Sequence, residues 1–406
     1  MKIWLINNYN MLPEHGHLNR NYYLGKYLKQ LGHEPIAFVG SHPHNTDLQL
    51  IEGKVSFLVY QKEPFPWVLI KTRNYEGSRM QRVLSMLEFY RNMKKAAKHF
   101  EKPDAIIGSS AHPLAALLAI RLGKKYGCKG IMEVRDLWPE SLVTYGILSR
   151  NNLLTKVLYG FEKYMYIHAD KIIFTMEGAY DYICNQGWDK YIPKDKVLYI
   201  NNGIDLELFE KNKINDTLQD EDLESEDTFK VVYTGSIRKA NKIEMLLEAA
   251  KIIQEKEIKI LIWGDGDELS HLEEIKQNEG IDNVLFKGYV QKSKIPYILS
   301  HSNANFLDAF DESISQYGIS SNKLFDYLAA GKPVLMSRNT KYNPAKRMNC
   351  YIEYDISPNG IAKAIITAYK MSSEEYEKEC NNSKKIANDY SYLELAKKMI
   401  TAVGAE

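Results

Sequence analysis

The sequence is short of cysteine, of net charge and of long apolar runs. Its 406 residues include four cysteines, Cys128, Cys184, Cys350 and Cys380, all far apart. No pair has metal-ligand spacing and no disulfide framework is implied, which fits a reducing compartment. Lysine and arginine (53) balance aspartate and glutamate (52), for a formal net charge of +1. That balance argues against a global field steering the chain to nucleic acid, while leaving room for a local basic patch. No stretch is long and apolar enough to span a bilayer. The opening "MKIWLINNYN" holds one strand's worth of apolar residues and no signal-peptide core. The expectation is a cytoplasmic protein, soluble or peripheral on the inner face of the plasma membrane.

What the sequence does have is a regular alternation. The chain is too long for one ordinary core, so two domains are expected. Short strand-like runs ("KIWLINNY", "PIAFVGS", "DAIIGSS", "KGIMEV", "KIIFT", "KVLYINNG") alternate with helical patterns such as "NRNYYLGKYLKQLGHE", where Leu24, Tyr27, Leu28 and Leu31 share a face. Residues 210–230 break the pattern with an acidic, polar stretch that reads as a solvated linker or loop. A second series follows at once: "KVVYTGSI", "IKILIWGDG", "NVLFKGYV", "ANFLDA" and "KPVLMS". This is α/β architecture, with two Rossmann-like, doubly wound parallel-sheet domains in series. The boundaries are read as 1–204 and 205–385, with a C-terminal helix in 386–406 that completes the second domain or packs back on the first. Open sheets of this kind bind ligands beyond the C-terminal ends of their strands, so a cleft between the domains is the expected site.

The strand-end loops of the second series carry the chemistry. In "YTGSIRKANK", Gly235 and Ser236 allow close backbone approach, and Arg238, Lys239 and Lys242 follow. A glycine turn with open N–H groups and nearby cations suits a phosphate, and equally describes a tight turn with solvated lysines. Gly264 in "IWGDGDE" and Tyr289 in "FKGYV" end the next two strands. Asp265 and Asp267 resemble a metal pair but also make a good turn, and no metal is assigned.

The stretch "SQYGISSNKLFDYLAAGKPVL" (315–335) is a helix with an unusual beginning. Ser320, Ser321 or Asn322 can cap it, Leu324, Phe325 and Leu328 supply its apolar face, and Gly331 and Pro333 end it. Lys323 lies in the first turn, where the helix dipole disfavours a cation by about 0.3–1 kcal/mol unless an anion sits there. Asp326 lies one turn further along the same side. A cation, open N–H groups and an acid beyond them are what a nucleoside diphosphate requires; a solvated helix face accounts for the same residues.

Together these segments resemble glycosyltransferase family 4, the retaining GT-B enzymes, over nearly the whole chain. "YGISSNKLFDYLAAGKPVL" is similar to the family's donor-binding acid helix. "VLYINNGIDLELF" is similar to its inter-domain segment (Asn202, Gly203, Asp205, Phe209), and "EVRDLWPES" to a cleft-facing loop of the first domain. The likeness is closest to the subgroup that builds bacterial capsule and O-antigen.

The resemblance implies transfer of a sugar from a nucleotide-diphosphate sugar, UDP-linked by the habit of the subgroup, with retention and with no metal or other cofactor. The acceptor would be a saccharide or a polyprenyl-diphosphate-linked saccharide. Asp326 stands at the second glutamate of the family's E-x7-E motif, a ribose ligand. The first glutamate falls at Gly318; Asp311 and Glu312 are nearby acids at the wrong spacing. Backbone N–H groups over Gly318, Ile319, Ser320, Ser321 and Asn322 are therefore expected to meet the donor. The family's arginine after the loop glycine, and its lysine five residues later, are here Ser236 and Asn241. Arg238, Lys239 or Lys242 is expected to replace the missing charge for the leaving diphosphate, with Lys323 sharing it. In the first domain the family's His-Asp pair is Arg135-Asp136, and Asp136 is expected to orient the acceptor hydroxyl. Gly16, His17, Asn19 and Arg20 of "LPEHGHLNRNYY", with His112 of "SSAHPLA", join Arg135 as acceptor candidates; a helix cap and solvated or helix-start histidines are the plainer readings of Asn19, His17 and His112. Residues 64–100 are aromatic at the start and basic thereafter (Arg79, Arg82, Arg91, Lys94, Lys95, Lys98), as for an anionic membrane surface or an ordinary solvated helix face. Two rival functions share the donor pocket: a GT-B sugar-nucleotide 2-epimerase and a non-catalytic nucleotide-sugar-binding protein.

Overall fold

The computed structural model describes all residues except 13–18, 44–45, 62–63, 76, 309–314, 338–340 and 405–406, and the side chain of residue 79. The chain divides into two compact units, residues 1–201 with 392–406, and residues 202–391. These divisions fall a few residues from the expected 204 and 385.

Among the described residues the first unit is built on an eight-stranded sheet. Its strands are β1 Lys2–Ile6, β2 Glu34–Gly40, β3 Phe57–Tyr60, β4 Trp67–Ile70, β5 Ala105–Ser109, β6 Lys129–Val134, β7 Lys171–Phe174 and β8 Val197–Tyr199. The order is β3-β4-β2-β1-β5-β6-β7-β8, parallel throughout except for the edge pair β3/β4. Side chains alternate between the two faces of a strand. Trp4, Ile6, Phe38, Val68, Ile70 and Ile106 therefore share one face, covered by Phe89, Met93, Leu118 and Leu122 of helices Arg79–Ala96 and Pro113–Tyr126. Ala37, Val39, Trp67 and Leu69 fill the other face with Leu12, Ile51 and Phe65. The terminal helix Tyr392–Val403 belongs to this unit and packs on helix Arg20–Gln30, where the Tyr392 and Tyr23 rings stack at 4.9 Å. The strand order reverses between β1 and β5, which makes their C-terminal ends the topological switch point.

The second unit has a six-stranded parallel sheet among the described residues, in the order β11-β10-β9-β12-β13-β14. The strands are β9 Phe229–Thr234, β10 Ile258–Trp263, β11 Val284–Gly288, β12 Ala304–Phe306, β13 Val334–Ser337 and β14 Tyr351–Tyr354. Val231, Ile260, Ile262 and Phe306 form its core with Leu246, Leu247, Ile361 and Ile365 from the covering helices. Here the switch point lies between β9 and β12.

The acidic stretch over 210–230 is not a solvated linker. It begins in helix Leu206–Asn215 and forms a further turn at Glu221–Glu224 with Leu223 buried. Asp220 and Asp222 pair with Lys287 at 2.9 and 2.6 Å, and Asp222 also pairs with Lys259 at 2.9 Å. Lys230 Nζ donates to the carbonyls of Leu223 and Ser225. The acids answer lysines on β10 and β11, partners too distant in sequence for local pattern to reveal.

Candidate active site

In the second unit the loops after β9, β10 and β11 are laced together through the backbone. Gly235 N–H donates to the Trp263 carbonyl, Ile237 N–H to Asp265 and Gly264 N–H to Gly288, each at 2.9 Å. The approach depends on glycine. A Cβ on Gly264 would lie 1.8 Å from the Gly235 oxygen, and one on Gly235, whose φ is +150°, would lie 2.4 Å from Lys323 Cε. The Lys323 side chain thus lies directly over the β9 glycine.

The Lys323 ammonium is fixed on several sides. Nζ donates to Tyr233 OH at 2.8 Å and to Asp308 Oδ1 at 3.0 Å, and stands 4.5 Å from the Tyr233 ring centroid. Tyr233 OH in turn donates to the Ser236 carbonyl at 2.7 Å. Burial first, then the charge of Asp308, holds the Tyr233 phenol far above its usual range, so it remains neutral. Asn241 Nδ2 donates to Asp308 Oδ2 at 2.6 Å, and Ser236 Oγ donates to Asn241 Oδ1 at 3.2 Å. The Lys323 side chain is 20% exposed and that of Asp308 8%, so the lysine is the reachable member of the pair. Arg238 and Lys239 are exposed on the same loop, and no hydrogen bond among the described residues ties their side chains to this network. Tyr289 is exposed beyond Gly288.

Helix Asn322–Ala330 points its N-terminus at this cluster. Ser321 occupies the N-cap position without a side-chain cap bond, which leaves the first N–H groups open. Leu324, Phe325, Tyr327 and Leu328 are buried, and Gly331 ends the helix in the left-handed conformation. Asn202 Nδ2 donates to the Ser320 carbonyl at 2.5 Å and anchors the loop before the helix. Asp205 caps the following helix through Leu208 N–H, and Phe209 is buried. Asp326 is half-buried with no hydrogen-bond or ion-pair partner among the described residues. Burial pushes its carboxyl up to about 6, opposed only by the charge of Lys292. Asp265 has a turn role, accepting from Gly266 N–H at 2.7 Å.

In the first unit several expected acceptor residues prove structural. Arg20 is buried: Nε donates to Glu133 at 2.9 Å, and the guanidinium also bonds the Asn201 and Ile200 carbonyls at 2.5 and 2.9 Å. Its chemistry is spent on joining helix Arg20–Gln30 to β6 and the end of β8. His112 is wholly buried at the start of helix Pro113–Tyr126, where Nδ1 accepts from Ala115 N–H at 3.0 Å. Burial lowers its pKa to about 3, so it is a neutral cap rather than an acceptor contact. Asn19 stands at an N-cap position but its side chain makes no cap bond, and its Oδ1 is buried without a partner among the described residues. Gly16 and His17, like Asp311 and Glu312, lie outside the described residues.

The "EVRDLWPES" loop separates its acids clearly. Glu133 is bound to Arg20, and Glu140 accepts from Tyr159 OH at 2.5 Å and pairs with Arg150. Asp136 is the exposed one, with Arg135 half-exposed beside it, and the loop is pinned by Thr175 Oγ1 on the Arg135 carbonyl at 3.2 Å. A second polar set lies where β1 and β5 end. Asn7, Asn8, Asn10, Ser109 and Ser110 are all buried, and each has a side-chain atom with no partner among the described residues.

The sequence model of Glycosyltransferase Family 4 matches residues 16–208, and that of Glycosyl transferases group 1 matches residues 228–371, together most of the chain. The chain belongs to glycosyltransferase family 4. It is a glycosyltransferase of GT-B architecture. No curated protein matches the sequence. Among solved structures, sucrose-phosphate synthase from Thermosynechococcus elongatus is similar over 98% of this chain and 97% of its own, with 17% identity and a TM-score of 0.69. Anabaena HepE in complex with UDP and glucose is similar over 99% of both chains, with 12% identity and a TM-score of 0.64. WaaG, a glycosyltransferase involved in lipopolysaccharide biosynthesis, is similar over the full length of both, with 13% identity and a TM-score of 0.65. At these identities the likeness is one of fold.

Against the family 4 pattern, Gly318 has a reason of its own. Its φ is +125°, a conformation that side-chain-bearing residues rarely adopt, and its N–H donates to the Ser315 carbonyl at 3.0 Å. The residue sequence reasoning missed is Asp308. It is one acid at the end of a short strand in "ANFLDAF", and only the β9/β12 neighbourhood brings it to Lys323. The asparagines of "INNYN" were the available signal for the first unit, three amides directly after a strand.

Proposed function

We propose that this glycosyltransferase moves a sugar, with retention, from a UDP-sugar to a saccharide or polyprenyl-diphosphate-linked acceptor in surface polysaccharide synthesis, without a metal. The observation that carries the donor side is the Lys323 ammonium held over Gly235 at the open start of a helix, with unpartnered Asp326 one turn further on. Lys323, with Arg238 and Lys239 reaching from the loop, stabilises the leaving diphosphate, the electrostatic contribution expected to dominate. The N–H groups of Ser320, Ser321 and Asn322 add to it, while that of Gly318 is taken by the Ser315 carbonyl, and Asp326 accepts from ribose hydroxyls. Asp136 orients the acceptor hydroxyl. Its oxygen bonds the anomeric carbon on the face from which the phosphate oxygen leaves, and that phosphate oxygen takes the proton, so no strong protein base is required. The UDP in the HepE structure and the lipopolysaccharide role of WaaG support the choice of donor and acceptor class.

Helix Arg79–Ala96 supports contact with an anionic membrane: Met80, Val83 and Leu87 form an exposed apolar stripe, and Arg91, Lys94 and Lys95 are exposed near its end. Arg82 is used otherwise, donating to Tyr9 OH at 3.2 Å. No helix among the described residues is long and apolar enough to cross a membrane.

The test is a panel of nucleotide sugars incubated with purified protein and a lipid-linked saccharide extract. UDP release only with acceptor, and a product with the donor's anomeric configuration, are expected. Release of an epimerised sugar without acceptor, or inversion in the product, would overturn the proposal.

A further inference from the structure

The two positions where family 4 commonly carries cations, Ser236 and Asn241, are bonded to each other here, and the chain of bonds runs on to Lys323. Ser236 Oγ donates to Asn241 Oδ1, Asn241 Nδ2 donates to Asp308 Oδ2, and Asp308 Oδ1 accepts from Lys323 Nζ, at 3.2, 2.6 and 3.0 Å. Asp308 lies just beyond the end of β12, the strand beside β9 at the switch point, and is almost fully buried. Both of its oxygens are occupied by side chains of the network.

We propose that Asp308 is a positioning residue that, through Asn241 and Ser236, holds the Lys323 ammonium as a single preset cation for the donor's diphosphate, in place of the cation pair lost at positions 236 and 241. The inference rests on reading this edge as the nucleotide-sugar site. A lysine is a flexible point charge, and its usefulness to a leaving phosphate depends on being in place before the bond breaks. Three groups restrain Lys323: the Asp308 carboxylate, the Tyr233 hydroxyl and the Tyr233 ring. Gly235 leaves the space that its side chain crosses. The helix dipole opposes a cation in the first turn, and Asp308 offsets that until a phosphate arrives. Ser236 and Asn241 then have a function that neither arginine nor lysine could perform, since a cation at 241 would compete with Lys323 for the same carboxylate.

Calorimetric titration of the full chain with UDP and, separately, with uridine tests this in a double-mutant cycle of Asp308→Asn and Lys323→Met. Uridine affinity should be unchanged in every variant, which shows that the site is folded. UDP affinity should fall about fivefold in D308N and about fiftyfold in K323M, with the double variant no weaker than K323M alone. Tighter UDP binding by D308N would mean that the acid merely repels phosphate, and multiplying single effects would mean that it does not act through Lys323; either overturns the proposal while leaving the donor site intact. A wild-type chain that binds no nucleoside diphosphate would instead remove the donor reading, and this inference with it. D308A, which removes both acceptor oxygens, should weaken UDP at least as much as D308N, and the opposite order would also count against positioning.

Discussion

At the β9/β12 edge the Lys323 ammonium, the Asp308 carboxylate and the Asn241 amide are bonded to one another, whereas at the β1/β5 edge Asn7, Asn8, Asn10, Ser109 and Ser110 keep buried side-chain atoms that meet no partner among the described residues. Both edges are switch points of doubly wound sheets, so topology alone does not distinguish them. The difference lies in what each leaves for a ligand. The second unit presents a charge already oriented, suited to a diphosphate common to many donors. The first presents neutral amides and hydroxyls that each keep one side-chain atom unbonded among the described residues, the kind of chemistry that suits a polyhydroxyl ligand. An unbonded buried polar group costs about 1–3 kcal/mol, so such an edge is stable to the extent that water or a ligand supplies the bonds.

The comparison breaks most visibly if the charged edge does not depend on Asp326, which meets no partner among the described residues. Asp326→Asn should weaken uridine binding by about 10–100-fold, the worth of hydrogen bonds to a charged acceptor. Uridine has no group titrating near 6, so wild-type affinity should fall as pH drops through about 6, where Asp326 takes up its proton, and D326N should show no such dependence. The sign for stability is opposite. A carboxyl whose folded pKa is raised favours folding fully only below its unfolded value, and that contribution is lost as pH rises through about 6. At pH 7, D326N should therefore melt no lower than wild type; a lowered Tm would assign the affinity loss to misfolding.

Next in size is the position where a family acid is absent. Gly318→Glu restores the motif on paper but places a side chain at φ +125°, a strain of about 1–3 kcal/mol. The melting temperature should fall and donor turnover should not rise. Faster turnover at unchanged Tm would show that the second unit lacks only the glutamate and that its backbone has not been rebuilt around glycine.

Gly318 also marks how far the sequence could be read. The alternation of strands and helices, the two doubly wound units and the helix at 322–330 follow from periodicity and caps, because these are local properties. The candidate site was legible where its residues are consecutive: Gly235, Ser236, Lys323 and Asp326 were singled out from loop and helix context, and the structure places Lys323 over Gly235. Asp308 was not, because its partners Asn241 and Lys323 arrive from other elements. Arg20 was an acceptor candidate for the converse reason, and His112 was one beside the plainer helix-start reading that the structure shows. A polar residue next to a glycine-rich or helix-start segment looks available until Glu133 and Ala115 N–H are seen to use it. The acidic run before β9 was misread in the same way, since Lys259 and Lys287 lie on later strands.

A smaller effect is expected at Gly235. An alanine Cβ would fall 2.4 Å from Lys323 Cε, the far part of a flexible side chain, so Lys323 should move aside at the expense of its bonds to Asp308 and Tyr233. Gly235→Ala should weaken UDP about tenfold and uridine hardly at all, the loss of roughly one charge-assisted contact. Equal losses for the two ligands would mean that the loop itself had collapsed, and the contrast between a preset charge and an open polar edge would lose its main support.

The smallest effect should come from the neutral edge, and there stability and function should part. Ser110 Oγ is buried and meets no partner among the described residues, so Ser110→Ala removes an unsatisfied group and leaves its backbone bond to the Glu133 carbonyl intact. The Tm should stay level or rise, and donor binding should not change. Acceptor KM should rise by a factor of about two to five, the value of one neutral hydrogen bond. This is the reverse of what the charged edge predicts, where Lys323 and Asp308 hold each other and loss of either is felt by the donor. If S110A lowered Tm by several degrees and left acceptor KM unchanged, the hydroxyl would be part of the packing of helix Pro113–Tyr126, and the open polar edge would be structural rather than a place for sugar hydroxyls.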